Sequence, residues 1–164
     1  MGEVIWVIDT SSIAQVRRSV ENARKPYVFS SMTTLVQAGR LWFPRQVVDE
    51  LERFADPNAP DAQFGWAKEN QSKATGYVPT LEQVRQILSL VPKVLDPDKD
   101  SGVDEADPYV LALAAHFQRE KRDARIVAEE TRDTPRKMSL RTAGGLLGIA
   151  SVPLVAFLQF EGIG

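Results

Sequence analysis

Five acids stand at the ends of short apolar segments and are the residues of this chain that could do chemistry: Asp9, Glu50, Asp104, Asp107 and Glu130. Asp9 ends the run Val4-Ile5-Trp6-Val7-Ile8, and Glu50 follows Leu41-Trp42-Phe43 by about two turns of helix. Asp104 and Asp107 precede a strongly apolar stretch, and Glu130 comes just after Ala124-Arg125-Ile126-Val127-Ala128. Gathering such groups costs free energy, because carboxylates a few ångströms apart repel by ~1 to 4 kcal/mol depending on the effective dielectric. A cation among them removes that cost. An all-oxygen donor set selects a hard ion, Mg2+ or Mn2+, over zinc or copper. Ions of that kind activate a water and stabilise the leaving oxygen in phosphodiester hydrolysis.

Each acid also has a plainer reading. Asp9 followed by Thr10, Ser11 and Ser12 is a good helix N-cap. Glu50, beside Asp49 and Glu52, fits a solvated helix face, and Asp104 and Asp107 are acids of the kind the helix dipole favours in a first turn. What separates the readings is whether the chain brings the acids together.

Short β-branched and aromatic runs too brief for a helix, at 4–8, 41–43 and 124–128, read as strands buried on both faces of a parallel sheet. A minor edge strand is expected at Val94-Leu95 and a last short one at 149–152. Helical spacing is found at 12–23, 27–38, 81–90, 109–119, 138–147 and 153–160, and in the segment after Pro44 through Val47, Val48, Leu51 and Phe54. Pro26 and Pro44 fit first helical turns, and Gly39 fits a C-cap. Residues 56–93 read as a helical insertion or lid, with Phe64 and Trp66 anchoring a short helix. Strands alternating with helices predict one α/β domain over 1–164, a three-layer α/β/α sandwich with a mainly parallel sheet. With right-handed crossovers, strand-end and helix-start acids then converge on one mouth.

Composition removes several alternatives. There is no cysteine, hence no disulfide and no thiolate metal site, and the single histidine, His116, rules out a multi-histidine zinc centre and argues against a Ser-His-Asp triad. His116 itself reads as a packing or surface residue. The acidic loop from Asp96 to Asp107 misses the calcium-loop pattern, since the glycine place is Ser101 and the final glutamate place is Asp107. No basic leader and no apolar run of membrane-spanning length is seen, which predicts a folded, soluble, cytoplasmic protein without a membrane partner. Residues 46–107 carry six bases and thirteen acids, whereas 1–45 carry six and three and 108–141 eight and five. An acidic centre with basic flanks suits a metal mouth beside a phosphate backbone, although the basic run 119–141 is equally a solvated face.

Four short stretches in order resemble the PIN domains, metal-dependent ribonucleases that include the VapC-type toxins. They are Val7-Ile8-Asp9-Thr10-Ser11, Pro44-Arg45-Gln46-Val47-Val48-Asp49-Glu50-Leu51, Asp104-Glu105-Ala106-Asp107-Pro108-Tyr109-Val110-Leu111-Ala112 and Ile126-Val127-Ala128-Glu129-Glu130-Thr131-Arg132-Asp133. The resemblance implies that Asp9, Glu50 and Asp107 are the principal metal-ligating and catalytic acids, with Asp104 and Glu130 as further ligands. In the fourth motif the family's threonine place holds Ala128 and its acid place Glu130, with Asp133 the alternative. Thr10 and Ser11 would contact the Asp9 carboxylate or bound water and substrate, and Arg132 and Arg136 the RNA phosphates. The implied activity is endoribonuclease cleavage with Mg2+ or Mn2+. A toxin of this kind implies an antitoxin partner, and a homodimer is common in the family. The alternative is a catalytically silent PIN-like scaffold that binds RNA or protein. A phosphatase on a related fold would want an Asp-x-Asp nucleophile motif, and Asp9 is followed by Thr10 and Ser11.

Overall fold

Val4–Ile8 forms a central strand, β1, with every residue buried. The computed structural model describes residues 3–95, 105–129, 133–135 and 137–163. Beside β1 lie β2 (Leu41–Trp42) on one side and β3 (Asp123–Val127) on the other, and β4 (Ser151–Val152) completes the order β2-β1-β3-β4. All three pairings are parallel. The helices are α1 (Thr10–Ser19), α2 (Lys25–Gln37), α3 (Arg45–Phe54), α4 (Ala62–Ala74), α5 (Leu81–Leu90), α6 (Ala106–Arg119), α7 (Leu140–Leu146) and α8 (Leu154–Glu161).

The period-two alternation of the strands distributes side chains to two helical layers. Trp6 shares its register position with Leu41 and Arg125. On that face the rings of Phe157 and Phe160 in α8 meet Trp6 edge-on at 5.1 and 5.4 Å. Val7 aligns with Trp42 and Ile126 and looks the other way, where Phe117 of α6 packs on Trp42 at 5.0 Å. Small residues of α6, with Ala112 and Ala114 fully buried, let that helix lie close to the sheet. The result is the expected α/β/α sandwich with an all-parallel sheet.

Local differences from the sequence reading have local causes. The helix expected over 12–23 ends at Ser19: Val20 is extended and a 3-10 turn, Asn22–Arg24, follows. β-branched Val20 favours that geometry. Gly39 does close α2: at φ +72° it lets Arg40 donate its N–H to the Leu35 carbonyl at 2.9 Å, as a left-handed C-terminal motif requires. Val94-Leu95 is not a strand. Pro92 sets a 3-10 turn, Pro92–Val94, whose N–H groups bond back along the chain to Val91 and Pro92, so no ladder forms.

The helix around Phe64 and Trp66 is longer than its sequence suggests. Asp61 caps α4 by accepting the Phe64 N–H at 2.8 Å. Trp66 is buried against Phe43 and Phe29, and its Nε1 donates to Thr33 Oγ1 at 2.9 Å. α4 is therefore packed into the core. His116 stacks on Tyr77 at 3.7 Å with Nε2 3.4 Å from Glu120, a packing position. Among the described residues no helix is long and apolar enough to cross a membrane.

α7 crosses close to the segment that leads into β4 at one of its two glycines. A Cβ on Gly144 would sit 3.0 Å from the Ile149 carbonyl oxygen, whereas one on Gly145 would meet nothing within 4 Å. Gly144→Ala is expected to cost about 1–2 kcal/mol by overpacking against backbone. Gly145→Ala should instead gain up to about 1 kcal/mol of helix propensity. Urea midpoints of the two variants, displaced in opposite directions from the parent, are the check.

Candidate active site

In the order β2-β1-β3-β4 the chain adds β2 on one side of β1 and then crosses to the other side for β3. The direction of winding reverses between β1 and β3, and in open parallel sheets the crevice for a ligand lies at such a reversal, outside the carboxyl ends of the two strands. Asp9 stands at that crevice. Its N–H donates to the Val127 carbonyl at 2.8 Å, continuing the β1–β3 ladder by one residue before the chain turns into α1.

The two oxygens of Asp9 have different tasks. Oδ2 caps α1, accepting the Ser11 N–H at 3.3 Å and the Ser11 hydroxyl at 2.8 Å. Oδ1 is buried and, among the described residues, has no hydrogen-bond partner. The capping role is thus real and leaves one oxygen over. Leaving a buried acceptor unpaired ordinarily costs about 1–3 kcal/mol, more if it is charged.

Glu50 reaches the same place from α3, with only 7% of its surface exposed. Its Oε1 accepts the Thr10 hydroxyl at 2.5 Å, and its Oε2 accepts the Ala106 N–H at 3.3 Å. That second contact sets a negative charge at the N-terminus of α6, where free amides and the helix dipole favour it. Asp107 lies in the first turn of the same helix and is held at 2.9 Å by the ammonium of Lys137. Its charge reaches Asp9. Burial first, then the charge of Asp107, and further the charge of Glu50 push the Asp9 carboxyl up from 3.8 to about 7, against the opposing hydrogen bond from Ser11.

The structure therefore brings Asp9, Glu50 and Asp107 to one crevice, with Thr10 on Glu50 and Ser11 on Asp9. Asp104, Glu130, Arg132 and Arg136 lie outside the described residues. Asp133, the alternative fourth acid, is exposed and accepts the Ser139 N–H at 2.9 Å, a contact that holds its carboxyl below the usual range. Among the described residues no three acid or histidine side chains are already gathered around one point. Glu50 is turned to Thr10 and α6, and Asp107 to Lys137. The unpartnered Oδ1 of Asp9 and the all-carboxylate donor set nevertheless suit a hard divalent cation.

Two residues of the crevice have little sequence signal. Glu129 accepts the Ser12 hydroxyl at 2.6 Å and the Leu154 N–H at 2.8 Å, tying the end of β3 to α1 and to the start of α8. Its own N–H donates to Ser11 Oγ at 3.1 Å. The hydroxyl that steadies Asp9 is thereby anchored to the neighbouring strand. Lys137 sits within the basic run 119–141, where nothing in the amino-acid order distinguishes it from its neighbours.

A family model described as Domain of unknown function (DUF4411) matches residues 6–163, and the chain belongs to that family. Comparison with curated proteins and with solved structures gave no match.

Proposed function

We propose that this member of the DUF4411 family is a divalent-metal-dependent endoribonuclease whose acidic crevice is PIN-like. The observation that carries the reading is the buried, unpartnered Oδ1 of Asp9 beside the carboxylates of Glu50 and Asp107. Asp9, Glu50 and Asp107 would hold Mg2+ or Mn2+, with Asp104 and Glu130 as further ligands. The bound ion would supply charge stabilisation to the phosphodiester and an activated water.

The protein's own groups prepare that chemistry. Ser11 fixes the orientation of the Asp9 carboxylate through Oδ2, which keeps Oδ1 aimed away from the cap. Thr10 fixes Glu50, and Glu129 in turn steadies Ser11 and α1. Asp9, held through Oδ2 alone, keeps its orientation when an ion binds at Oδ1, the usual benefit of supporting hydrogen bonds around a metal site, whereas Glu50 and Asp107 would first release Ala106 and Lys137. Bases of the flanking segments, Arg132 and Arg136 among them, would offset the repulsion between an acidic crevice and a phosphate backbone.

A second reading, a catalytically silent scaffold, draws on the same geometry. Thr10 and the α6 amide already satisfy Glu50, and Lys137 already compensates Asp107. Incubation with a mixed pool of single-stranded and structured RNA separates the two. Cleavage with Mn2+ or Mg2+, none with chelator and none by Asp107→Asn is the result expected of the nuclease. An intact pool under every condition favours the scaffold.

A further inference from the structure

Lys137 is placed too deliberately for a solvated lysine. Its Nζ lies 2.9 Å from Asp107 Oδ2, with side chains only 21% and 14% exposed. Its backbone is held in a closed turn: the Thr134 N–H donates to the Lys137 carbonyl at 2.9 Å, and the Lys137 N–H donates to Thr134 Oγ1 at 3.0 Å. The next two residues are pinned as well, Met138 by its N–H to the Lys93 carbonyl at 2.7 Å and Ser139 by its N–H to Asp133. The turn thus delivers the Lys137 ammonium to the Asp107 carboxylate.

We propose that Lys137 is an exchangeable counterion of the site: its ammonium occupies the cation's place on Asp107 until a divalent ion displaces it. The inference rests on the reading of Asp9, Glu50 and Asp107 as metal ligands. Two positive charges cannot share one carboxylate edge cheaply, so an arriving ion competes with the ammonium. Lysine suits such exchange better than arginine, because it binds as a compact point charge without the two-pronged grip of a guanidinium. The Asp107 oxygen that Lys137 occupies is one that an ion shared with Asp9 would need.

The test is calorimetric titration of Mn2+ into the parent, Lys137→Met, Lys137→Arg and the double variant Lys137→Met with Asp107→Asn, each first shown to be folded by circular dichroism. Lys137→Met is expected to bind Mn2+ about tenfold more tightly, the effect of relieving one competing contact. Lys137→Arg should keep the parent's affinity or weaken it, and the gain should vanish when Asp107 is also changed. A lysine that merely supports the fold would give the opposite sign, since its loss would loosen the site and weaken Mn2+. Equal or weaker binding by Lys137→Met, with the parent still binding Mn2+, overturns the exchange and leaves the metal site standing. Absence of Mn2+ binding in every variant overturns both.

Discussion

Asp9→Asn is expected to stabilise the metal-free protein at pH 8 while removing RNA cleavage. The folded state holds the Asp9 proton more tightly than the unfolded chain does, with a carboxyl raised from 3.8 to about 7. Its contribution is therefore intact below about pH 4, falls away as pH rises toward 7, and leaves the full cost of a buried charge above that. At 1.36 kcal/mol per unit the ceiling is about 4 kcal/mol. Asparagine still accepts from Ser11 but more weakly than a carboxylate, so the expected gain is about 1–3 kcal/mol at pH 8, shrinking to nothing near pH 4. Urea unfolding in chelator at the two pH values measures it, and an unchanged or lower midpoint at pH 8 would refute the electrostatic account. In the presence of Mn2+ the sign should reverse, because the ion stabilises only the parent's carboxylate. Cleavage should fall at least about a hundredfold, the scale on which one preorganised electrostatic contact acts.

The largest purely structural effect is expected at the opposite end of the sheet. Glu161, the last residue of α8, accepts the Trp6 indole N–H at 2.8 Å and N–H groups of both terminal guanidinium nitrogens of Arg40, at 2.9 and 2.7 Å. The side chains of Arg40 and Glu161 are 18% and 8% exposed. Glu161→Ala leaves the indole N–H without its acceptor and the largely desolvated guanidinium with only the Val4 carbonyl at 3.3 Å and the exposed Glu3 at 3.9 Å, which should cost about 3 kcal/mol. At roughly 2–4 °C per kcal/mol for a chain of this size, the melting temperature should drop by about 10 °C. Glu161→Gln keeps an acceptor for Trp6 and should lose less. Near-parental melting of Glu161→Ala would show that water replaces the carboxylate at little cost.

The centre of the sheet is legible because β1 is buried on both faces and leaves the continuous apolar run Val4–Ile8, whereas β3 is only partly so, since its Asp123 is exposed and its Arg125 half-buried. Two caps are legible because Asp9 and Gly39 have a side chain or backbone freedom suited to one position, whereas the Ser139 cap of α7 lies inside the segment expected to be helical. Val94 was misread because two apolar residues after a proline serve a 3-10 turn as well as a strand. α4 was underestimated because its polar positions are spread around the helix and hide the face that Trp66 buries. At the site, the strand-end and helix-start acids could be read from position. Lys137 and Glu129 could not, because their importance depends on Asp107 and on the N-terminus of α8, which lie 30 and 25 positions away along the chain.

The pairing of β1 with β3 and the clasp of Trp6 by α8 also govern when the crevice can exist. The central strand is synthesised before its β3 partner, which lies more than a hundred residues downstream, and its indole waits for Glu161, 155 positions away. Contacts of such long span are the slow ones to close, since the loop entropy is spent before any of them forms. On a translating ribosome, α1 through α5 can take shape while Asp9 still lacks the strand that positions it and the Glu129 amide that holds Ser11. The acidic mouth is thus a late product of biogenesis, assembled only once nearly all of the described chain has emerged.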